Sequence, residues 1–461
     1  MANQTILTIA ARMDRLPTSK WHRKIIAILG FGVLCDTLDI YAGSSILAVL
    51  IADGWSNNTM NGWFISATMG GMFLGAMLAG YIGDKFGRRK SFLLNYLIFG
   101  LASISTIFTT NMLQLIILRG IMGFGLGAQQ AAATGALPEF FQPQYRGKYS
   151  GMVGFIGNVA PPIAMMFSLL IIPTFGWKVL FVGIGLMALV MWILTLKFMP
   201  ESPRWYASKA LIEKADQLVT KIEKEIEIEK GIKLSPIEAT TNNSEITSLQ
   251  SVSYSVIFSK KLIRRTITLC AALIGMNVAI YTIVNWIPTI FVSQGISITK
   301  SFAMSVVIMI GAPVGAFLVP LLSDKLPRRK TLSILAFMIG VLGYIYSLQH
   351  SDVLIMGLGF VMITLLYFYS VTVMFVYSGE IFPTESRLRG VGFSSAIGKL
   401  SSVITPPIIA LILTKFGSIS VFIFVFALMS LIACIIGTCG VETRNKSLEA
   451  INDNLISNTK D

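Results

Sequence analysis

Asp36 and Asp39 stand in a stretch, Ile25 to Ile51, that is otherwise apolar and long enough to cross a bilayer. Spaced three apart, the two carboxylates share one helical face, and a rise of about 1.5 Å per residue sets them roughly midway through the hydrocarbon. A charge at that depth costs a few kcal/mol even on insertion scales, so such residues usually face a cavity and take part in transport. The chemistry they offer is loading and release of a proton shared by two close carboxyls. Asp39, one turn further from the start of the stretch, is the first candidate for the proton-coupling site and Asp36 the second. The competing reading makes both of them ion-paired struts between helices.

Lys399 is the matching cation. It lies about twelve residues beyond Arg387, hence about 18 Å into its own apolar stretch. A buried ammonium needs a partner, either an internal carboxylate such as Asp36 or Asp39 or an anionic ligand that completes the pair on binding. Groups able to orient a small ligand by a few hydrogen bonds lie in other apolar stretches: Gln129, Gln130, Asn158, Asn277, Tyr281, Asn285, Trp286, Tyr367, Tyr369 and Ser370. Cys35, Cys270, Cys434 and Cys439 show no metal-ligand spacing, and the two histidines, His22 and His350, fall at the membrane surfaces. No metal or cofactor is expected, and a histidine relay through the membrane centre is excluded. No glycine-rich loop ending in Lys-Ser/Thr is found, so nucleotide hydrolysis is not supported, and the chemistry read here makes or breaks no bond.

The elements that must position these groups follow from composition. With 461 residues, 54% hydrophobic and 13% charged, and a mean hydropathy of +0.72, the chain is far too apolar for a soluble domain, whose charged fraction is about 25%. Apolar windows recur twelve times, at 25–51, 61–82, 91–109, 113–138, 150–172, 177–199, 266–292, 301–322, 331–348, 353–378, 391–414 and 418–439. The fold class is an all-α membrane protein of twelve transmembrane helices. Residues 1–24 lack a short apolar core with a cleavage site, so the first span is expected to direct insertion itself.

Basic residues set the orientation. Arg12, Arg15, Lys20, Arg23 and Lys24 precede the first span; Lys85 to Lys90 and Lys325 to Lys330 follow the second and eighth; the opposite loops hold Lys178, Lys300 and Lys415. Both termini are therefore expected in the cytoplasm. The bias and the attraction of anionic lipid account for the net charge of +14, with no need for nucleic acid.

The chain repeats itself. Gly83-Asp84-Lys85-Phe86-Gly87-Arg88-Arg89-Lys90 returns as Ser323-Asp324-Lys325-Leu326-Pro327-Arg328-Arg329-Lys330, 240 residues on. Glu139 with Arg146, seven apart, returns as Glu380 with Arg387 at an offset of 241, and Gly157-Asn158 returns as Gly398-Lys399. Two six-span halves duplicated head to tail imply parallel bundles with a substrate site near the midplane. The expected organisation is a cytoplasmic N-terminus at 1–24, bundles at 25–199 and 266–439, a cytoplasmic linker at 200–265, and a tail at 440–461. In the linker, Leu211, Ile212, Ala215, Leu218, Val219 and Ile222 recur at helical spacing, which predicts an amphipathic brace whose charges form a solvated face; Thr240 to Ser253 reads as a flexible linker.

The two loop motifs, Pro200-Glu201-Ser202-Pro203-Arg204-Trp205 after the sixth span, and Val441-Glu442-Thr443-Arg444 after the twelfth together resemble the major facilitator superfamily, and within it the sugar-porter and metabolite:proton symporter branch. The resemblance covers almost the whole chain. It implies a monomeric secondary transporter of a small molecule, working by rocking of two bundles, in which Asp84, Arg88, Glu139, Arg146, Asp324, Arg328, Glu380 and Arg387 gate the cytoplasmic end. Related metabolite and phosphate symporters carry a basic residue at what looks like the Lys399 position. Phosphate symporters of this type have an acidic residue where this chain has Gln129-Gln130, and sugar porters have a glutamine-rich seventh span that Gly275-Met276-Asn277 matches only in part. The reading that results is a proton-coupled symporter of a small organic anion. The alternatives are a sugar or phosphate symporter and a solute receptor without turnover.

Overall fold

The computed structural model describes residues 2–234, 254–260, 262–322, 325–382 and 384–443. Among them twelve helices are long and apolar enough to cross a membrane: Lys20–Ala52, Asn58–Phe86, Arg88–Phe108, Met112–Leu137, Lys148–Phe175, Trp177–Phe198, Ile263–Ser293, Ile298–Leu322, Arg328–Ser347, Asp352–Glu380, Arg389–Phe416 and Ser418–Cys439. They fall on the twelve apolar windows because a backbone without water must satisfy its N–H and C=O groups internally, and a helix does so within one segment. No strand occurs among the described residues. The chain is an all-α, multi-pass integral membrane protein.

Compactness divides the described residues into two units, one within Met1–Ile40, Gly70–Ala160 and Lys178–Asn243, the other within Tyr41–Met69, Pro161–Trp177 and Ser244–Asp461. This grouping differs from a simple six-plus-six division, since the far ends of the first, second and fifth spans belong with the second six. The break in the first span comes just after Asp39. In the fifth it falls at Pro161 and Pro162, inside the helix, where two rings remove ladder hydrogen bonds. Within the second unit, Ser66 Oγ donates to the Val403 carbonyl at 2.6 Å, and a methyl group at Gly62 would lie 3.0 Å from the Pro406 carbonyl. The second and eleventh spans therefore touch almost backbone to backbone there.

The duplication is visible as repeated contacts, each inside its own unit. A methyl group at Gly71 or Gly75 would run into the carbonyls of Gly120 and Phe124 on the fourth span. At the offset of 240, Gly311 and Gly315 stand in the same way against the carbonyls of Phe360 and Thr364 on the tenth. Glycine is required at these positions because no Cβ fits between helices so close. The loop motifs repeat as well: the Glu201 carboxylate accepts from the backbone N–H of Arg88 and Arg89 at 2.7 and 3.2 Å, and Glu442 accepts from Arg328 and Arg329 at 2.8 and 3.2 Å. Each carboxylate satisfies unpaired N–H groups at the start of a span and sits at the positive end of its dipole. Burial pushes the Glu201 carboxyl above its usual range, and its backbone hydrogen bonds to Ser202, Arg89 and Arg88 only partly offset this.

The predicted linker helix is present as Ile212–Lys230, closed by Gly231 in the left-handed region at φ 65°. Its apolar face buries Ala215, Val219, Ile222 and Ile226. Most of its charges are exposed, as expected of a solvated face, and Glu223 is the exception. A helix at Ala2–Asp14 folds back on it, burying Ile9 and Met13 in the same cluster, while Arg12 binds Glu223 through Nη2 at 2.6 Å, Thr220 at 2.8 Å, and Asp216. Arg15 adds a second bond to Glu223 at 2.6 Å, and Arg204 binds Asp14 at 2.7 Å. The Gln142 amide then donates to the Leu16 carbonyl, tying this arm to the turn between the fourth and fifth spans. The stretch 240–253 lies outside the described residues.

Burial alone would push the Glu223 carboxyl up, but the guanidinium groups of Arg12 and Arg15 outweigh it and hold the carboxyl below its usual range. The clamp is therefore fully present above the ordinary glutamate value of about 4.3 and is lost as pH falls through the lower value of the folded state. Hydrogen exchange in Ala2–Asp14 is expected to accelerate in Arg12→Glu, to be slowed again by adding Glu223→Arg, and to accelerate in the wild type at strongly acid pH. Equal protection in the single and double variants would mean that apolar packing alone holds the helix.

Candidate functional site

In the first unit Asp39 is fully buried and does not stand alone. Its Oδ2 accepts from Arg119 Nη1 at 2.6 Å, and Arg119, on the fourth span, is itself buried with its guanidinium 5.4 Å from the centre of the Phe181 ring. The second carboxylate oxygen of Asp39 has no hydrogen bond among the described residues. Sequence reasoning missed Arg119 and offered Lys399 as the cation. Arg119 was detectable as a guanidinium inside the apolar window 113–138, where a charge is unusual enough to demand a partner.

Asp36, one turn earlier on the same face, is buried at 3% exposure, and neither of its oxygens has a hydrogen-bond partner among the described residues. The two carboxyls thus sit in different surroundings although they are three residues apart. Gln129, also on the fourth span, is buried, and its amide nitrogen and the Tyr96 hydroxyl of the third span both lie against Gly32 of the first. Gln130 is half-buried, and Asn158 spends its Nδ2 on the Gly154 carbonyl at 2.9 Å within its own helix.

In the second unit Lys399 is half-buried in the interior of the eleventh span, and its ammonium has no ion pair among the described residues. Gly398 beside it lies against the seventh span, where a methyl group would stand 3.0 Å from Asn277 Nδ2. One turn on from Asn277 is Tyr281, close to the hydroxyl pair formed by Tyr41 and Tyr367 at 2.5 Å. Tyr41 was not anticipated; it couples the far end of the first span to the tenth. Tyr369 is fully buried with its hydroxyl on the Ala272 carbonyl at 3.1 Å, and Ser370 bonds the Leu366 carbonyl at 2.6 Å, so both are engaged in packing the tenth span. Below them the tenth helix widens into a π-turn at Thr372–Tyr377, a feature frequent at functional positions. Asn285 and Trp286 are buried in the far half of the seventh span, before Pro288.

The residues expected to gate pair inside their own units. Arg88 binds Glu139 at 2.6 Å and Asp84 at 2.8 Å, and Arg328 approaches Glu380 at 3.5 Å. Asp84 is largely exposed, so its pair contributes little. Arg387 Nε reaches the Phe382 carbonyl at 3.4 Å. Asp324 and the side chain of Arg146 lie outside the described residues.

A duplicated six-helix plan with a buried ion pair in one half and a half-buried cation in the other fits a membrane transporter. The family described as sugar (and other) transporter matches residues 26–455, and the chain belongs to it, within the major facilitator superfamily. It is 41% identical over 445 residues to the inner membrane metabolite transport protein YdjE of Escherichia coli K12, covering 96% of this chain and 98% of that one. It is 27% identical over 449 residues to the niacin transporter NiaP of Acinetobacter baylyi, covering 96% of this chain and 100% of the relative. Among solved structures it is similar to the partially occluded, inward-open xylose transporter XylE of Escherichia coli, with a TM-score of 0.73, 17% identity, and coverage of 93% and 100%. That last likeness shows the fold alone. The chain is a membrane transporter and not an enzyme.

Proposed function

We propose that the protein is a proton-coupled symporter of a small organic anion of the carboxylate type, which moves it across the cell membrane by alternating access with both termini in the cytoplasm. The observation that carries the reading is Lys399, a cation deep in the eleventh span with no carboxylate beside it among the described residues. A neutral solute would leave that charge uncompensated, whereas a carboxylate completes the pair on binding. The buried Asp39–Arg119 pair supports the coupling, since a proton arriving at these carboxyls weakens the hold on Arg119 and alters the packing of the first span on the fourth. The niacin carried by one relative is an aromatic carboxylate, which agrees with an anionic substrate.

With the termini inside, the ends joined by the Tyr41–Tyr367 bond and by Ser66 on Val403 face outward, which is what a state closed to the outside requires. Asp84, Arg88, Glu139, Arg146, Asp324, Arg328, Glu380 and Arg387 then act at the inner end, biasing the equilibrium between states. The protein works as a monomer, in bundles bounded near 25–199 and 266–439. A melting-temperature panel of purified protein against niacin, benzoate, xylose, glucose and inorganic phosphate tests the substrate class, because a specific ligand stabilises in proportion to its occupancy. A shift with the carboxylates alone supports the reading, and a shift with a sugar alone overturns it.

A further inference from the structure

Three cations from three different spans gather at one corner of the first unit. Lys24, in the opening turns of the first span, holds its ammonium 4.7 Å from the centre of the Phe198 ring, and Lys197, at the end of the sixth, holds its own 5.4 Å from the same ring. Arg89, at the start of the third, donates through Nη2 to the Leu196 carbonyl, one residue before Lys197. Lys24, Lys197 and Phe198 are all exposed. An aromatic face attracts a cation through its quadrupole but carries no net charge, so two ammoniums drawn to one ring remain uncompensated.

Neither lysine has a salt bridge among the described residues. The acidic groups of this corner are engaged elsewhere: Glu201 is buried with its Oε1 on the backbone N–H groups of Arg88, Arg89 and Ser202, and Glu229 accepts from the backbone N–H of Lys20, one turn before Lys24. Arg89 uses on Leu196 only one of the five donors of a guanidinium. A guanidinium and two ammoniums with no carboxylate bound to them suit a compact anion that offers several oxygens, such as a phosphodiester. The surface beside them is apolar. On the sixth span Leu186, Val190 and Ile193 are exposed at spacings of four and three, and Lys197 follows four residues on, so one apolar stripe runs to the ammonium. On the third span Leu94 and Leu101 are exposed along the stripe that begins at Lys90. These two spans lie side by side, since Ser103 Oγ donates to the Phe181 carbonyl at 2.8 Å and a methyl group at Gly100 would stand 3.2 Å from the Gly185 carbonyl. Free phosphate would engage the cations alone; a phospholipid engages the cations and the stripes.

We infer that Lys24, Arg89 and Lys197 form a binding site for the phosphate of one anionic phospholipid, whose acyl chains lie along the third and sixth spans. The basic loops place this end of the spans at the inner leaflet, where anionic lipid gathers. Once occupied, the site ties the ends of the first, third and sixth spans to one another through a single headgroup. It goes beyond the symport reading and does not depend on it.

Thermal unfolding of the purified protein in detergent micelles tests the site without transport or orientation entering. Wild type is expected to melt at a higher temperature with phosphatidylglycerol than with phosphatidylcholine of the same chains at the same mole fraction, because the site stabilises in proportion to its occupancy. Lys24→Gln with Lys197→Gln is expected to weaken the apparent affinity for phosphatidylglycerol about thirtyfold, so that the rise disappears at the lipid fraction that half-saturates the wild type. Lys221→Gln with Lys224→Gln, two exposed positions on the linker helix, removes the same net charge and is expected to keep the wild-type rise. Glycerol 3-phosphate, which offers the headgroup without the chains, is expected to give none. An equal rise with phosphatidylcholine in the wild type overturns the inference, and so does a linker variant that loses the rise as fully as the site variant, or a shift with glycerol 3-phosphate that matches the lipid's. Should the double site variant fail to purify, Lys197→Gln alone is expected to bind phosphatidylglycerol about fivefold more weakly, and an unchanged affinity in it overturns the site.

Discussion

Replacing Lys399 with glutamine is expected to drop uptake of the transported anion to background while the protein still inserts, folds and purifies as a monomer. Glutamine keeps most of the length of the side chain and a hydrogen-bond donor but cannot counter a carboxylate. A charge-assisted contact in a poorly solvated site contributes about 1.5–3 kcal/mol, a factor of roughly ten to a hundred or more in affinity. Because the ammonium has no ion pair among the described residues, its removal leaves no carboxylate stranded, and melting temperature without substrate should be unchanged or higher. Uptake near the wild-type rate would remove the anion assignment, and a large loss of stability would instead reveal Lys399 as half of an internal salt bridge.

The second large effect lies at Asp39 and Arg119. Breaking a buried pair by removing one partner costs about 3–5 kcal/mol, since the other charge remains in a low dielectric, whereas removing both can be nearly neutral. Arg119→Leu is therefore expected to fold poorly, and Arg119→Leu with Asp39→Asn to recover most of the lost stability in thermal unfolding. Asp39→Asn alone leaves Arg119 against Phe181 and is expected to abolish accumulation driven by a pH gradient while retaining some exchange at equal pH. If the double variant is no more stable than Arg119→Leu, the pair is not energetically coupled. If Asp36→Asn and Asp39→Asn both keep pH-driven accumulation, the coupling site lies elsewhere and the carboxyls are struts.

Much of this was legible in the sequence because the signals are local or periodic. Hydropathy located all twelve helices to within a few residues, since length and apolarity alone decide what spans a bilayer. The repeated Asp-Arg and Glu-Arg spacings revealed the duplication, which the structure expresses as the matched caps of Glu201 and Glu442 and the matched glycine contacts of Gly71 and Gly311. What stayed hidden depends on pairing between distant positions. Asp39 and Arg119 are 80 residues apart, Tyr41 and Tyr367 are 326 apart, and no local pattern announces either contact. Tyr96 reads as one more aromatic in a span until Gly32 shows that its hydroxyl packs against the first span. The helix at Ala2–Asp14 escaped notice because its value lies in covering the linker helix, and Glu223 passed as a surface charge in a run of glutamates and lysines.

The central claim, that a proton gradient drives an organic anion through this protein, is tested most directly in vesicles reconstituted with purified protein and given a more acid exterior, using the carboxylate that most raises the melting temperature. The account predicts uptake above the equilibrium level, collapse of the accumulated pool on adding a protonophore, and persistence of exchange once the gradient is gone. Accumulation that is unaffected by the protonophore, or that follows a sugar and ignores the carboxylate, would contradict it.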